Sequence, residues 1–395
     1  MKKKVIYFLF VLLITLVLFN TISFLKASDV RMVNGIPVVG SSAKHLAVID
    51  DTMVQFMKLH QIPASTVAII KDGQIVFHHG YGYSDHNKTI PTNPATLMRI
   101  ASITKPFTAA AIRILIKEKK ISLNSKIMDI IDIQPFKGKV VDPRWYNITI
   151  EHLLTHKGGW DRNATGVEFD PIFQSLNIQG EMELKGPPDS KQIISYMMSK
   201  SLDFNPGEKY AYSNFGYTIL GRVIEKVTGL TYFEYLKHSV LIPSGIDDME
   251  LARSLPKDRS PKEIQTYYHP GKVKSVFDSS WVSPPDGGFY IEAMDSNGGL
   301  IASTADLVKF AQKFLIDGSP RLPGQTDKRF HYGVLDGTYS YLWWRKDGIC
   351  VAILINQRIG SVDYLPGESG GDINSCYLPL KTLIDNAINN ITDYL

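Results

Sequence analysis

The sequence predicts an α+β fold: one antiparallel sheet built from both ends of the chain and flanked by helices, with an all-helical lobe inserted between its strands. Three observations carry this. Asp72-Gly73 divides two β-rich runs, 65–71 and 74–81, which is a strong hairpin signal. Lys346-Asp347-Gly348 divides another pair, 339–345 and 349–356, close to the other end. Between them, residues 107–310 are mostly helical pieces and loops rich in Pro and Gly. Strands so far apart must pair to bury their apolar faces, and the cleft between sheet and lobe is then the default site.

Each element follows from its pattern. Residues 43–60 repeat apolar side chains at Leu46, Ile49, Met53, Phe56 and Met57, a helical period that precedes the first hairpin. A second helix spans 102–120, with Phe107, Ala110, Ile112, Leu115 and Ile116 apolar. In the lobe, helices are expected over 150–155, 190–200, 214–227 and 304–315. The last opens Ser303-Thr304-Ala305-Asp306, an N-cap with an acid in the first turn. After the second hairpin, 374–390 reads as a closing helix with Leu378, Leu383, Ile384 and Ile388 apolar.

A length of 395 residues suits one large enzyme fold or two modest domains. Hydrophobic residues at 44% and charged residues at 21% exclude a disordered chain, a collagen-like repeat and a disulfide-dense miniprotein. The net charge is +4, and four lysines (Lys2, Lys3, Lys4 and Lys26) precede the first acid, Asp29. The remaining charges therefore balance, and no basic face marks a nucleic-acid binder. Lys2 to Lys4 followed by the apolar run 5–19 and a weaker tail 20–25 read as a secretory signal or a retained membrane anchor within 1–27. Either way the body, 28–395, is expected outside the cytoplasmic membrane, secreted or tethered. Only Cys350 and Cys376 occur; two separate thiols and one disulfide both fit.

Three clusters could do chemistry. Ser102-Ile103-Thr104-Lys105 places a hydroxyl and an amine on one helical face within a turn. A desolvated neutral lysine can take the serine proton, although Ser102 read alone serves equally as a helix N-cap. Tyr212-Ser213-Asn214 precedes a helix, so its tyrosine and amide can project into the cleft as a proton carrier and a positioning group. In isolation, Asn214 as a cap and Tyr212 as packing explain it as well. His331-Tyr332-Gly333 leads into the terminal strands. Gly333 permits a close backbone approach, and the N–H of Val334 just beyond could form half of an oxyanion hole.

These three motifs in this order resemble the serine β-lactamase and penicillin-binding protein superfamily, in its class C β-lactamase-like branch of DD-carboxypeptidases, esterases and D-aminopeptidases. The wording around them is also similar: 99–108 about Ser102, His152-Leu153-Leu154-Thr155-His156, Phe204-Asn205-Pro206-Gly207-Glu208, 298–307 and 331–337. The resemblance implies Ser102 as nucleophile, Lys105 and Tyr212 as the proton-transfer pair and Asn214 as positioning amide. His331 takes the third motif's lysine place, and the N–H groups of Ser102 and Val334 hold the oxyanion. It implies hydrolysis of peptide or ester substrates, cell-wall peptides among them, without a cofactor or metal. Tyr332 departs from the family's Thr or Ser, whose hydroxyl helps to bind a substrate carboxylate. It is expected to weaken β-lactam turnover and to crowd the acyl site.

Rival readings are a true β-lactamase, a non-catalytic anchored scaffold of the same fold, a metal site and a chymotrypsin-like loop. His152 and His156 have the i, i+4 spacing of zinc ligands, but Leu-Leu-Thr between them lacks the glutamate of a zinc protease. Gly367 to Gly371 reads as a loop before the last helix. Complete Ser102, Lys105, Tyr212 and Asn214 argue against a scaffold.

Overall fold

Seven antiparallel strands form the main sheet of the computed structural model, which describes residues 30–42, 46–138, 140–166, 169–322, 325, 330–358 and 373–390. Its strands are β1 (Arg31–Val33), β2 (Ile36–Ser42), β3 (Ala64–Lys71), β4 (Gln74–Gly82), β5 (Phe330–Leu335), β6 (Thr338–Trp344) and β7 (Cys350–Ile355). The order across the sheet is β1-β2-β4-β3-β7-β6-β5. β3 of the first hairpin pairs with β7 of the second, Ala68 opposite Ala352, so the two chain ends close one sheet as expected.

The central strands read as continuous apolar runs because both of their faces are covered. On β7, Val351, Ile353 and Ile355 face one way, toward α1 (Ala47–Leu59) and the closing helix, where Leu380, Ile384 and Ile388 pack. Cys350, Ala352 and Leu354 face the other way, into the larger core under the lobe. Burying each such side chain contributes about 1.5–3 kcal/mol. Cys350 is a buried free thiol, and the Cys376 side chain lies outside the described residues.

Three strands escape the sequence pattern. β1 and β2 flank Asn34-Gly35, whose φ angles of 47° and 82° make the left-handed turn that Asn-Gly favours. The signal was present, but Pro37, Gly40, Ser41 and Ser42 dilute the β character of the run. β5 is likewise a full edge strand rather than a lead-in.

The lobe departs from the all-helical expectation. It holds α2 (Thr104–Lys117) and α3 (Asn214–Thr228), with shorter helices Ile150–Leu154, Ser175–Glu181, Ser190–Met197 and Tyr232–Leu236. It also holds a small sheet in which Leu300–Ala302 lies between Met98–Arg99 and Glu250–Leu251, and a pair Val273–Lys274 with Trp281–Val282. α4 (Thr304–Lys313) buries Leu307, Val308, Phe310 and Ala311 in the core beneath the main sheet, so it covers that sheet. Its capping box between Ser303 and Asp306 forms as the sequence predicts. The closing helix, α5 (Ile373–Asn389), agrees with the expectation within a residue.

Residues 1–29 and Gly367 to Gly371 lie outside the described residues. Among the described residues no helix is long and apolar enough to cross a membrane.

Candidate active site

Ser102 sits on a 3₁₀ turn, Ala101–Ile103, that runs directly into α2. Ala101 has φ 47°, a left-handed conformation that costs a non-glycine residue about 1–3 kcal/mol and recurs where a side chain must be aimed. Neither the turn nor α2 has a side-chain cap, so Ser102 is not an N-cap. Its hydroxyl instead accepts from Lys105 Nζ at 3.1 Å and from Tyr212 Oη at 2.8 Å.

Lys105 is 2% exposed. Besides Ser102 it donates to Asn214 Oδ1 and to the backbone oxygen of Asn297, each at 2.6 Å. Gly221 on α3 lets the turn at Ser296 and Asn297 close in toward Lys105: a Cβ there would lie 2.3 Å from Ser296 Oγ. Thr108 Oγ1 donates to the Ser296 carbonyl at 2.6 Å and ties the same turn to α2. Burial lowers the Lys105 ammonium to a pKa of about 7, Asp170 opposing the shift and Arg162 adding to it.

The second motif resolves its own ambiguity. Ser213, not Asn214, caps α3, accepting from Gly216 N–H at 3.1 Å. Asn214 is thereby free to face the site: Oδ1 meets Lys105 and Nδ2 donates to Asp170 Oδ2 at 2.6 Å. Burial pushes the Tyr212 phenol well above its ordinary value, so it rests protonated and donates to Ser102.

The edge strand β5 closes the site. A Cβ on Gly333 would lie 2.3 Å from the Ile100 carbonyl and 2.8 Å from Ser102 N, so only glycine lets this backbone pass the serine. Gly333 pairs with Ser340 of β6, whose hydroxyl donates to the Ile100 carbonyl at 2.7 Å and seams strand to turn. The two-residue turn after Leu335 sets the ladder alternation, which directs the Val334 N–H to the free edge of the sheet.

A family model described as Beta-lactamase matches residues 49–363, a span that holds the whole constellation. The chain belongs to the Beta-lactamase family. This family comprises serine hydrolases. "Penicillin-binding protein 4*" of Bacillus subtilis (strain 168) is 28% identical over 293 residues, covering 69% of this chain and 56% of that protein. The chain thus spans just over half of that curated relative. Among solved structures, D-amino acid amidase from Ochrobactrum anthropi SV3 has a TM-score of 0.60 at 17% identity, covering 89% of this chain and 98% of that one. An octameric penicillin-binding protein homologue from Pyrococcus abyssi has a TM-score of 0.56 at 23% identity, covering 84% and 77%. At these identities the likeness is one of fold.

Set against the Beta-lactamase family pattern, the first two motifs and Gly333 meet at Ser102, while the rest of the third motif divides. His331 is half-buried and donates through Nδ1 to the Tyr332 carbonyl at 2.8 Å. Burial lowers its pKa to about 4, with the Lys105 charge adding to the shift, so its ring is neutral. The Tyr332 ring, 37% exposed, stacks on Phe330 and Tyr339, each at 6.3 Å, along the β5–β6 hairpin. That stacking holds the ring along the β5–β6 hairpin.

His152 and His156 point to separate tasks within the family fold. His152 Nδ1 accepts from Thr149 N–H and completes the capping box of Ile150–Leu154. His156 Nδ1 accepts from Ser213 N–H at 3.2 Å, and its ring lies 4.6 Å from that of Tyr212. Burial lowers its pKa to about 3, which keeps it a neutral acceptor that braces the tyrosine. The sequence did not reveal Asp170, Asn297 or this role of His156; Asp170 and Asn297 lie in no motif, the His152–His156 wording gives no hint of a brace on Tyr212, and each acts through a long-range contact.

Proposed function

We propose that the chain hydrolyses amide or ester bonds through a covalent Ser102 acyl-enzyme. The observation that carries this reading is the three-way contact at Ser102 Oγ, with Lys105 Nζ at 3.1 Å and Tyr212 Oη at 2.8 Å. With a pKa of about 7, Lys105 is partly neutral near neutral pH. Its lone pair takes the serine proton as Oγ attacks the carbonyl carbon. The N–H groups of Ser102 and Val334 receive the oxyanion. Tyr212 relays the proton to the leaving group, and a water then adds to the ester under the same base, releasing the acid and freeing Ser102.

Small esters and D-amino-acid amides and peptides, including cell-wall stems, are the substrates this reading favours. A D-amino acid amidase and penicillin-binding proteins among the similar proteins support it. Tyr332 stands where the family pattern has a small hydroxyl for a substrate carboxylate, so β-lactam turnover is expected to be weak. The test compares nitrocefin, a short-chain nitrophenyl ester and a D-Ala-D-Ala peptide side by side. Ester or peptide hydrolysis with slow nitrocefin turnover supports the reading; fast nitrocefin turnover alone points to a true β-lactamase. No labelling of Ser102 by a fluorophosphonate points to a scaffold.

The reading also places the body outside the cytoplasmic membrane, released or tethered through residues 5–25, on the strength of Lys2 to Lys4 and the apolar run behind them. External protease should digest residues beyond Ser28 in intact cells or spheroplasts. Full protection in the cytosol rejects export.

A further inference from the structure

We propose that Asp170 is a positioning residue of this site: its carboxylate fixes the Asn214 amide with oxygen toward Lys105, and so holds the third valence of the lysine nitrogen on Ser102 Oγ. The inference rests on the acyl-transfer reading above.

The argument is one of donors and acceptors. Lys105 Nζ has three partners, and two of them, Asn214 Oδ1 and the Asn297 carbonyl, take its N–H groups at 2.6 Å. The remaining direction points at Ser102 Oγ, as a donor when the amine is charged and as a lone pair when it is neutral. The Asn297 carbonyl is an acceptor under all conditions. Asn214 is not: a half-turn of its amide presents NH2 to the lysine and breaks the geometry.

What decides that half-turn lies on the far side of Asn214. Nδ2 donates to Asp170 Oδ2 at 2.6 Å, while Asp170 Oδ1 accepts from Ile172 N–H at 3.1 Å as the cap of the turn Pro171–Phe173. Both Asp170 oxygens therefore face donors, and a carboxylate, acceptor on both sides, matches the two together; burial raises its pKa, and the hydrogen bonds from Asn214 and Ile172 oppose that shift. An amide at position 170 must turn its own NH2 toward one of them. Asp170 is buried, which makes an unmatched donor there costly.

The charge acts in the same direction. The groups facing Lys105 are Asp170, Arg162, His156 and His331, together with the Tyr212 and Tyr217 rings at 5.0 and 5.8 Å. Asp170 is the anion of this set, and it raises the proton affinity of Lys105 against the effect of burial. Losing it should make the lysine neutral at lower pH even as its aim at Ser102 is lost.

The test measures fluorophosphonate labelling of Ser102 against pH in the full chain. It compares the unaltered protein with Asp170→Asn, Asp170→Ala, Asn214→Ala and the Asp170→Ala/Asn214→Ala double variant, each checked by its thermal transition. Asp170→Asn should slow labelling by about 10²-fold, the scale of a misplaced reacting group. Its acid-side midpoint should move to lower pH, and the double variant should be no slower than Asn214→Ala. A wild-type rate and midpoint in Asp170→Asn overturns the proposal, as does a double variant that shows the product of the two single losses. Loss of the thermal transition in both Asp170 variants assigns the residue to folding and also overturns it. An unaltered protein that fails to label at Ser102 instead overturns the acyl-transfer reading itself.

Discussion

Tyr212 Oη donates to Ser102 Oγ at 2.8 Å across 110 residues of sequence, joining the loop before α3 to the turn before α2. The contact sets the first prediction. Ser102→Ala should abolish fluorophosphonate labelling with an unchanged thermal transition. Tyr212→Phe, which keeps the ring against His156 and removes only the hydroxyl, should lower kcat by about 10²-fold or more. Mass spectrometry of the labelled peptide checks the first and steady-state ester hydrolysis the second; a label on a different serine rejects the assignment.

The pH dependence follows from Lys105. Its folded pKa of about 7 lies below the ordinary 10.5, and the neutral amine is the base. kcat/KM should therefore rise with pH through a midpoint near 7. His331 and His156, held near 4 and 3, stay neutral across that window and add no limb. The same shift couples to stability. Between the two lysine values the unfolded chain holds more protons than the folded one, so this group's contribution to stability rises with pH there. Urea titrations at several pH values should show that rise, reduced in Lys105→Met.

Gly333→Ala tests the close approach of β5. Its Cβ would meet the Ile100 carbonyl and Ser102 N, both backbone, so the strand has to move and carry Val334 with it. A displaced oxyanion donor costs about 10²–10³-fold in kcat. Loss of turnover with little change in the urea midpoint is the expected result; wild-type kcat shows that the strand has room to spare.

Arg99 supports the turn from below. Its guanidinium is buried, donating at 2.9 Å to the carbonyls of Pro285 and Arg253, with Glu263 at 3.8 Å and the Tyr267 ring at 4.5 Å. Arg99→Ala removes the nearer charge partner of buried Glu263, leaving it Arg259 and the Tyr267 hydroxyl at 2.8 Å, and breaking such a buried pair costs up to about 3–5 kcal/mol. Equilibrium unfolding should register that loss, and a change within error would mean that Glu263 protonates at little cost.

The sequence by itself determined what local pattern controls. Asp72-Gly73 adopts the positive φ angles that make a hairpin turn, and Ser303 with Asp306 caps α4, because each needs only neighbours in the chain. Ser102 and Lys105 share a helical face for the same reason, and the order of the three motifs resembled a known family closely enough to name their partners. Tertiary structure decided the rest. The choice between Ser213 and Asn214 as the cap of α3 is invisible to spacing, since both residue types cap well. It was settled when Asn214 found Lys105 on one side and Asp170 on the other. The bracing of Tyr212 by His156 and the hold of Asp170 on Asn214 join residues distant in sequence. Such contacts depend on burial and on which donors lack acceptors, and those conditions exist only once the chain has folded.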